Sequence, residues 1–214
     1  MAWSYYVETM LMRLLLRLLV RWEVKGNENI PKQSPLIVVA NHLSLVDPPL
    51  LSASIPRRIV FMAKEEVFHH PVQGPLVRGF RAFPVRREGL DRRALRQARE
   101  VLREGLALGM FPEGTRSRTA QLQKGLPGTS HLALRCGSTV LPVGITGTEK
   151  IKGLAFVFRR PKLTVNIGEP FNLPPVDGKL TKAELAQATD FIMGRVAELL
   201  PEGYRGVYGG GGGG

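Results

Sequence analysis

VVANHLSLVDPPLL, residues 38–51, is the stretch on which the fold turns. It starts inside the apolar run LIVVA (36–40), which is continuous, as in a strand covered on both faces. It breaks at Asn41 and His42, passes Asp47, and meets Pro48 and Pro49, which open a short helix through Leu51. A buried strand, a polar turn and a helix in that order are the building unit of an α/β domain.

The rest of the chain repeats the alternation. The spacing predicts a helix over 3–24, a strand over 58–63 (RIVFMA), and an edge or irregular strand over 82–86, where Pro84 cannot donate to a ladder. A basic helix follows over 90–104, with Leu90, Ala94, Leu95, Ala98, Val101 and Leu102 at helical spacing. Strands are expected at 106–111 (LALGMF), 139–145 (TVLPVGI) and 162–168 (KLTVNIG), and a helix at 127–136. Thr181 and Glu184 form a capping box for a last helix over 181–200, which stops before Pro201. The expectation is a single-domain αβ sandwich around a mixed or parallel sheet over 26–205, with an N-terminal helix segment over 1–25 and a disordered Gly-rich tail over 206–214.

Composition narrows the function. A chain of 214 residues, 43% hydrophobic, suits one full core. The net charge of +12 favours an anionic partner: nucleic acid, an anionic membrane surface or a phosphorylated substrate. Aromatic residues are only 7% and none of the usual DNA- or RNA-binding signatures occurs, which argues against nucleic acid. Cys136 is the single cysteine, so there is no intrachain disulfide and no Cys-cluster metal site, and a reducing cytosol is the natural setting. Apart from the terminal glycines, no G-x-S-x-G, P-loop, H-E-x-x-H or G-x-G-x-x-G is present.

Residues five apart differ by about 140° on a helix and face opposite sides of a strand, so His42 and Asp47 can meet only if the chain turns between them. Pro48 disfavours a helical Asp47 and is itself a good first helical residue, which predicts Asp47 as an ionised N-cap. A carboxylate beside an imidazole fixes its tautomer and raises its basicity, as in a catalytic dyad. Asp-Pro is also a sufficient cap on its own, and both readings stand at this point.

A second cluster is FPEGTRSRTAQLQKG, 111–125, which follows a strand and so lies at a carboxyl end, where open sheets place ligands. Gly114 allows positive φ or close backbone approach, Arg116 offers a planar fork to phosphate, Lys124 a mobile point charge, and Glu113 an acceptor for hydroxyls. His69 and His70 read as a surface turn and His131 as structural. Arg92, Arg93, Arg96, Arg99 and Arg103 read as a solvated helix face, and Cys136 as core.

Asn41, His42 and Asp47 together with FPEGTRS resemble the glycerolipid acyltransferases, of the 1-acyl-sn-glycerol-3-phosphate acyltransferase type. GFRAFPVRR (79–87) resembles the family's second block, with Arg86 at its arginine, and VLPVGITG (140–147) its fourth, with Pro142 as its proline. The resemblance runs from about residue 36 to 170. It implies direct attack: His42 as general base, Asp47 orienting it, and the acceptor hydroxyl attacking a thioester. Arg86, Arg116 and Lys124 would clamp the acceptor's phosphate. Glu113 would hold a glycerol oxygen or the loop itself, with Gly114 and Thr115 in the same substrate-binding loop. No metal or cofactor is implied; acyl-CoA or acyl-carrier protein is the co-substrate and lysophosphatidic acid the acceptor. Glycerol 3-phosphate or another lysophospholipid remains open as acceptor, and a lipid hydrolase in which His42 activates water is a further alternative.

The N-terminal helix carries Met10, Leu11, Met12, Leu14, Leu15, Leu16, Leu18, Leu19 and Val20 around Arg13 and Arg17. Inserting the apolar residues would gain roughly 3–5 kcal/mol, and two central arginines would cost roughly 5–7, so spanning a bilayer loses. Arg13, Arg17 and Arg21 predict one cationic stripe meeting anionic lipid, with Trp3, Tyr5, Tyr6 and Trp22 flanking it at the interface. The expected location is peripheral or monotopic, on the cytoplasmic face of the cell membrane.

Overall fold

The computed structural model describes residues 3–71, 73–80, 82–86, 91–153, 155–174, 176 and 178–210. The chain opens with α1 (Trp3–Leu19) and β1 (Arg21–Lys25), then β2 (Leu36–Ala40), α2 (Asp47–Ser54), β3 (Ile59–Lys64), α3 (Gln73–Gly79) and β4 (Phe83–Val85). It continues through α4 (Arg92–Arg103), β5 (Ala107–Met110), α5 (Gly128–Cys136), β6 (Thr139–Thr146), α6 (Phe156–Arg159), β7 (Lys162–Ile167) and α7 (Lys182–Glu198). The strands form one seven-stranded sheet in the order β1-β7-β6-β2-β5-β3-β4. Neighbours run parallel except β6 and β7, so the sheet is mixed.

β2 lies at the centre and is buried along its whole length. Its side chains alternate between two cores: Leu36, Val38 and Ala40 join the layer covered by α1 and α2, and Ile37 and Val39 join the layer covered by α4, α5 and α7. A strand that must feed both layers cannot alternate polar and apolar residues, which is why LIVVA is apolar throughout. At the far edge, β4 accommodates Pro84 by pairing on one side only, with β3. The capping box read at Thr181 and Glu184 forms both its bonds on α7, and Asp91, not singled out from the sequence, caps α4 by accepting from Arg93 and Ala94 N–H. Leu90, expected to begin the basic helix, lies outside the described residues.

The N-terminal segment departs from expectation. The helix stops at Leu19, and Arg21–Lys25 is a strand, paired with β7 from Arg21 opposite Lys162 to Lys25 opposite Asn166. The local pattern resembled a helix because the partner that makes it a strand lies far along the chain. The arginine stripe is broken at both ends: Arg13 Nε donates to Ala53 O at 2.9 Å, and Arg21, which lies in β1, donates from Nε to Arg160 O at 3.2 Å, leaving Arg17 exposed on the helix. Tyr5 is buried, accepting from Ile59 N–H, and half-buried Trp22 donates to Ser54 Oγ, so both rings are engaged within the protein. The side chain of Trp3 lies outside the described residues. Apart from Arg17, what α1 exposes is apolar: Tyr6, Val7, Met10, Leu11, Leu14, Leu15 and Leu18. Among the described residues no helix is long and apolar enough to cross a membrane.

The tail expected to be disordered from 206 is ordered at its start. Gly206–Tyr208 forms a 3₁₀ turn, and Val207 N–H donates to Leu122 O. Residues 211–214 lie outside the described residues.

Candidate active site

His42 stands two residues past the end of β2, directly after Asn41, at the carboxyl end of the central strand. There the chain switches sides: β5 lies on one flank of β2 and β6 on the other, which opens a crevice above the strand ends. Asn41 fixes the exit. Its buried side chain donates to Ile145 O at 2.8 Å and accepts from Ile145 N–H at 2.7 Å, adding a side-chain rung to the β2–β6 ladder after the backbone has left it. The FPEGTRS loop then holds both backbone groups of His42: its N–H donates to Glu113 Oε1 at 2.7 Å, and its carbonyl accepts from Ser117 N–H at 2.7 Å.

The imidazole meets Asp47, with Nδ1 and Oδ2 2.8 Å apart. Asp47 is fully buried, and it accepts from Leu43 N–H at 2.6 Å, Ser44 N–H at 2.7 Å and Thr148 Oγ1–H at 2.6 Å. Such a carboxylate is acceptor only, so Nδ1 carries the hydrogen and Nε2 keeps its lone pair for a substrate. The ring stacks on Phe111 (centroids 4.2 Å, planes 22° apart), which stacks on Phe61 at 6.0 Å. Gly109 makes room for that pile, because a Cβ there would stand 2.3 Å from the Phe61 ring.

Asp47 is not the N-cap expected from the sequence. It is the first residue of α2, and Val46 takes the cap position with φ −80° and ψ −15° and no side-chain cap bond. Pro48 and Pro49 have no N–H to be capped, so the carboxylate turns back to the amides of the preceding turn and to the imidazole. The turn binds Asp47, and Asp47 binds the histidine.

Glu113 is buried with both oxygens engaged by backbone, Oε1 by His42 N–H and Oε2 by Gln123 N–H at 3.0 Å. Of the two roles expected for it, the geometry supplies the holding of the loop. Burial raises its pKa to about 7 against the pull of those two hydrogen bonds, with nearby Asp47 adding to the rise. Gly114 adopts φ +68°, with Leu126 Cδ1 only 2.7 Å from where a Cβ would sit.

A cavity of about 390 Å³ opens beside His42. Phe61, Met62, Val67, Val77, Phe80, Val85 and Met110 give it an apolar wall, and Gly114, Thr115, Arg116, Gly128 and Thr129 a polar one. Of the three cations expected at a phosphate, Arg116 lines this cavity. Arg86 sits just past β4 with Nε 2.7 Å from Glu65 Oε2, and Lys124 is exposed; neither is part of the cavity wall. Thr148, Asn41 and Ser117 were not singled out as site residues from sequence, although Thr148 directly follows the fourth block, VLPVGITG. Among the described residues no cluster of His, Cys, Asp and Glu is arranged to hold a metal.

A C-terminal strap backs the site. Tyr204 O accepts from Leu122 N–H at 2.8 Å, and Tyr208 Oη accepts from Gly125 N–H at 3.2 Å. Tyr204 also donates to Glu149 Oε1 at 2.8 Å, and burial with that carboxylate pushes the phenol up to about 12.

A family model described as Acyltransferase matches residues 21–146. The 1-acyl-sn-glycerol-3-phosphate acyltransferase of Bacillus subtilis (strain 168) is 30% identical over 179 residues, 83% of this chain and 87% of that protein. The protein of the same name in Borreliella burgdorferi is 31% identical over 137 residues, 62% of this chain and 55% of its own length, so the chain spans about half of that relative. The crystal structure of the 1-acyl-sn-glycerophosphate (LPA) acyltransferase from Thermotoga maritima superposes with a TM-score of 0.69 at 30% identity, covering 91% of this chain and 78% of that one.

Proposed function

Because the chain belongs to the acyltransferase family, we propose that it moves a fatty acyl group from a thioester donor to the free hydroxyl of 1-acyl-sn-glycerol 3-phosphate, giving phosphatidic acid. The observation that carries this reading is the 2.8 Å bond from His42 Nδ1 to a buried Asp47, which leaves Nε2 at a mostly apolar cavity with one polar wall. His42 Nε2 takes the hydroxyl proton as the oxygen attacks the thioester carbonyl, and returns it to the departing thiol. Asp47 stabilises the imidazolium between those two steps without taking its proton. The apolar wall takes an acyl chain and the polar wall the glycerol phosphate. The reaction balances without a metal or cofactor, and acyl-CoA or an acyl-carrier protein serves as donor.

The same reading places the protein on the cytoplasmic face of the membrane, with the exposed apolar arc of α1 in the bilayer's outer acyl region. The arc that supports this is wider and more apolar than one packing face needs.

The test is purified protein assayed against lysophosphatidic acid, glycerol 3-phosphate and other lysophospholipids with both donor types. His42→Ala should abolish transfer with an unchanged circular dichroism spectrum, and Asp47→Asn should cut kcat by about 10³-fold or more, through the wrong tautomer. Wild-type turnover in a folded His42→Ala protein would overturn the mechanism, and release of free fatty acid without acceptor would favour a hydrolase.

A further inference from the structure

α5 begins without a cap. Its N-cap residue is Pro127, no side chain bonds its first amides, and no acidic residue lies in its first turn. A helix start normally has several N–H groups to satisfy and a partial positive charge to neutralise. Thr129, the second residue of the helix, is 1% exposed, and its Oγ1 is buried with no hydrogen-bond partner among the described residues. A buried hydroxyl left unpaired is destabilising, so a partner is expected for it. Both Gly128 and Thr129 line the cavity that holds His42 and Arg116. Nothing crowds the entrance, since a Cβ on Gly128 would meet no atom within 4 Å. The other two cations expected at the phosphate do not line this wall: Arg86 pairs with Glu65, and Lys124 lies outside it.

From the uncapped helix start, the orphaned hydroxyl and their shared cavity with Arg116, we infer that the N-terminus of α5, with Thr129 Oγ1, is the subsite for a phosphate monoester dianion. It rests on the acyl-transfer reading only for the identity of that phosphate as the acceptor's. Arg116 supplies the formal charge and a bidentate fork. The amides and the threonine hydroxyl supply directed donors that need no ion of their own. Together they set the distance between phosphate and reacting hydroxyl, so that the hydroxyl arrives at Nε2 of His42.

Thr129→Val keeps shape and branching and removes only the hydroxyl. It should raise KM for lysophosphatidic acid about tenfold or more while leaving the donor KM and the turnover of a phosphate-free acceptor, 1-acylglycerol, unchanged. Thr129→Ser should restore the wild-type KM. Combined with Arg116→Gln, the effect should be less than the product of the two single changes, since both groups hold one phosphate. Binding is read separately by ³¹P NMR titration of glycerol 3-phosphate into His42→Ala protein, which cannot turn over: its phosphorus shift should move, and Thr129→Val should abolish the movement. This arm survives a failure of the acyl-transfer reading. An unchanged acceptor KM in Thr129→Val, an equal rise for the phosphate-free acceptor, or a ³¹P titration indifferent to Thr129→Val would each overturn the subsite.

Discussion

Glu113 is the residue whose burial has a measurable price in pH. Its carboxyl is raised to about 7 in the folded protein from an ordinary 4.5. Between those values the folded state binds the proton and the unfolded state does not, so stability falls as pH rises from about 4.5 to about 7, by ~3 kcal/mol at most. Glu113→Gln should flatten that part of the stability curve, read as urea midpoints at pH 5 and pH 7.5. The amide has one acceptor oxygen for two backbone N–H groups, so either His42 or Gln123 loses its partner, and kcat should fall with stability. A variant with the wild-type pH slope would show that this carboxyl is not the source. At this scale, what the sequence made legible was local. His42 and Asp47 are five residues apart, and the two prolines after Asp47 announce the helix start that ends the turn between them. Asn41 and Thr148 bond to groups more than a hundred positions away, and no short-range pattern announces that.

Helices and strands divide in the same way. α7 was readable from its capping box and α4 from the spacing of its apolar residues, signals that lie within a few positions of one another. β1 was not, because RWEVK is a strand only opposite KLTVN, and an arginine-punctuated apolar run reads as helix until that partner is known. The boundary matters for testing α1. Deleting residues 1–20 would remove Leu16 and Val20 from the core and the tyrosine that bonds to β3, and would unfold more than it releases. Leu11→Asp with Leu14→Asp and Leu18→Asp changes only exposed positions. It should leave the thermal midpoint within about 2 °C of wild type, as surface changes usually do. Binding to liposomes should drop at least tenfold, read by sedimentation, since each leucine no longer inserted forfeits roughly 0.3–0.6 kcal/mol before the aspartates' own cost. Unchanged sedimentation of a folded triple variant would remove α1 as the anchor.

For the molecule as a whole, the sheet order carries a constraint on time. β1 comes near the beginning of the chain, yet its backbone partner is β7, with Arg21 opposite Lys162. During synthesis, β2 through β6 can assemble as they emerge, while β1 must wait for residues 162–167. α1 need not wait with it, because its partners Ala53 and Ile59 emerge early. Nascent chains arrested before residue 160 should therefore be cut by protease near residues 20–30, and chains arrested well past 200 should resist; equal protection in both would contradict the order. The strand at 21–25 thus finds its place only with β7, and through that interval its backbone N–H and C=O groups are open to any unpaired strand edge nearby.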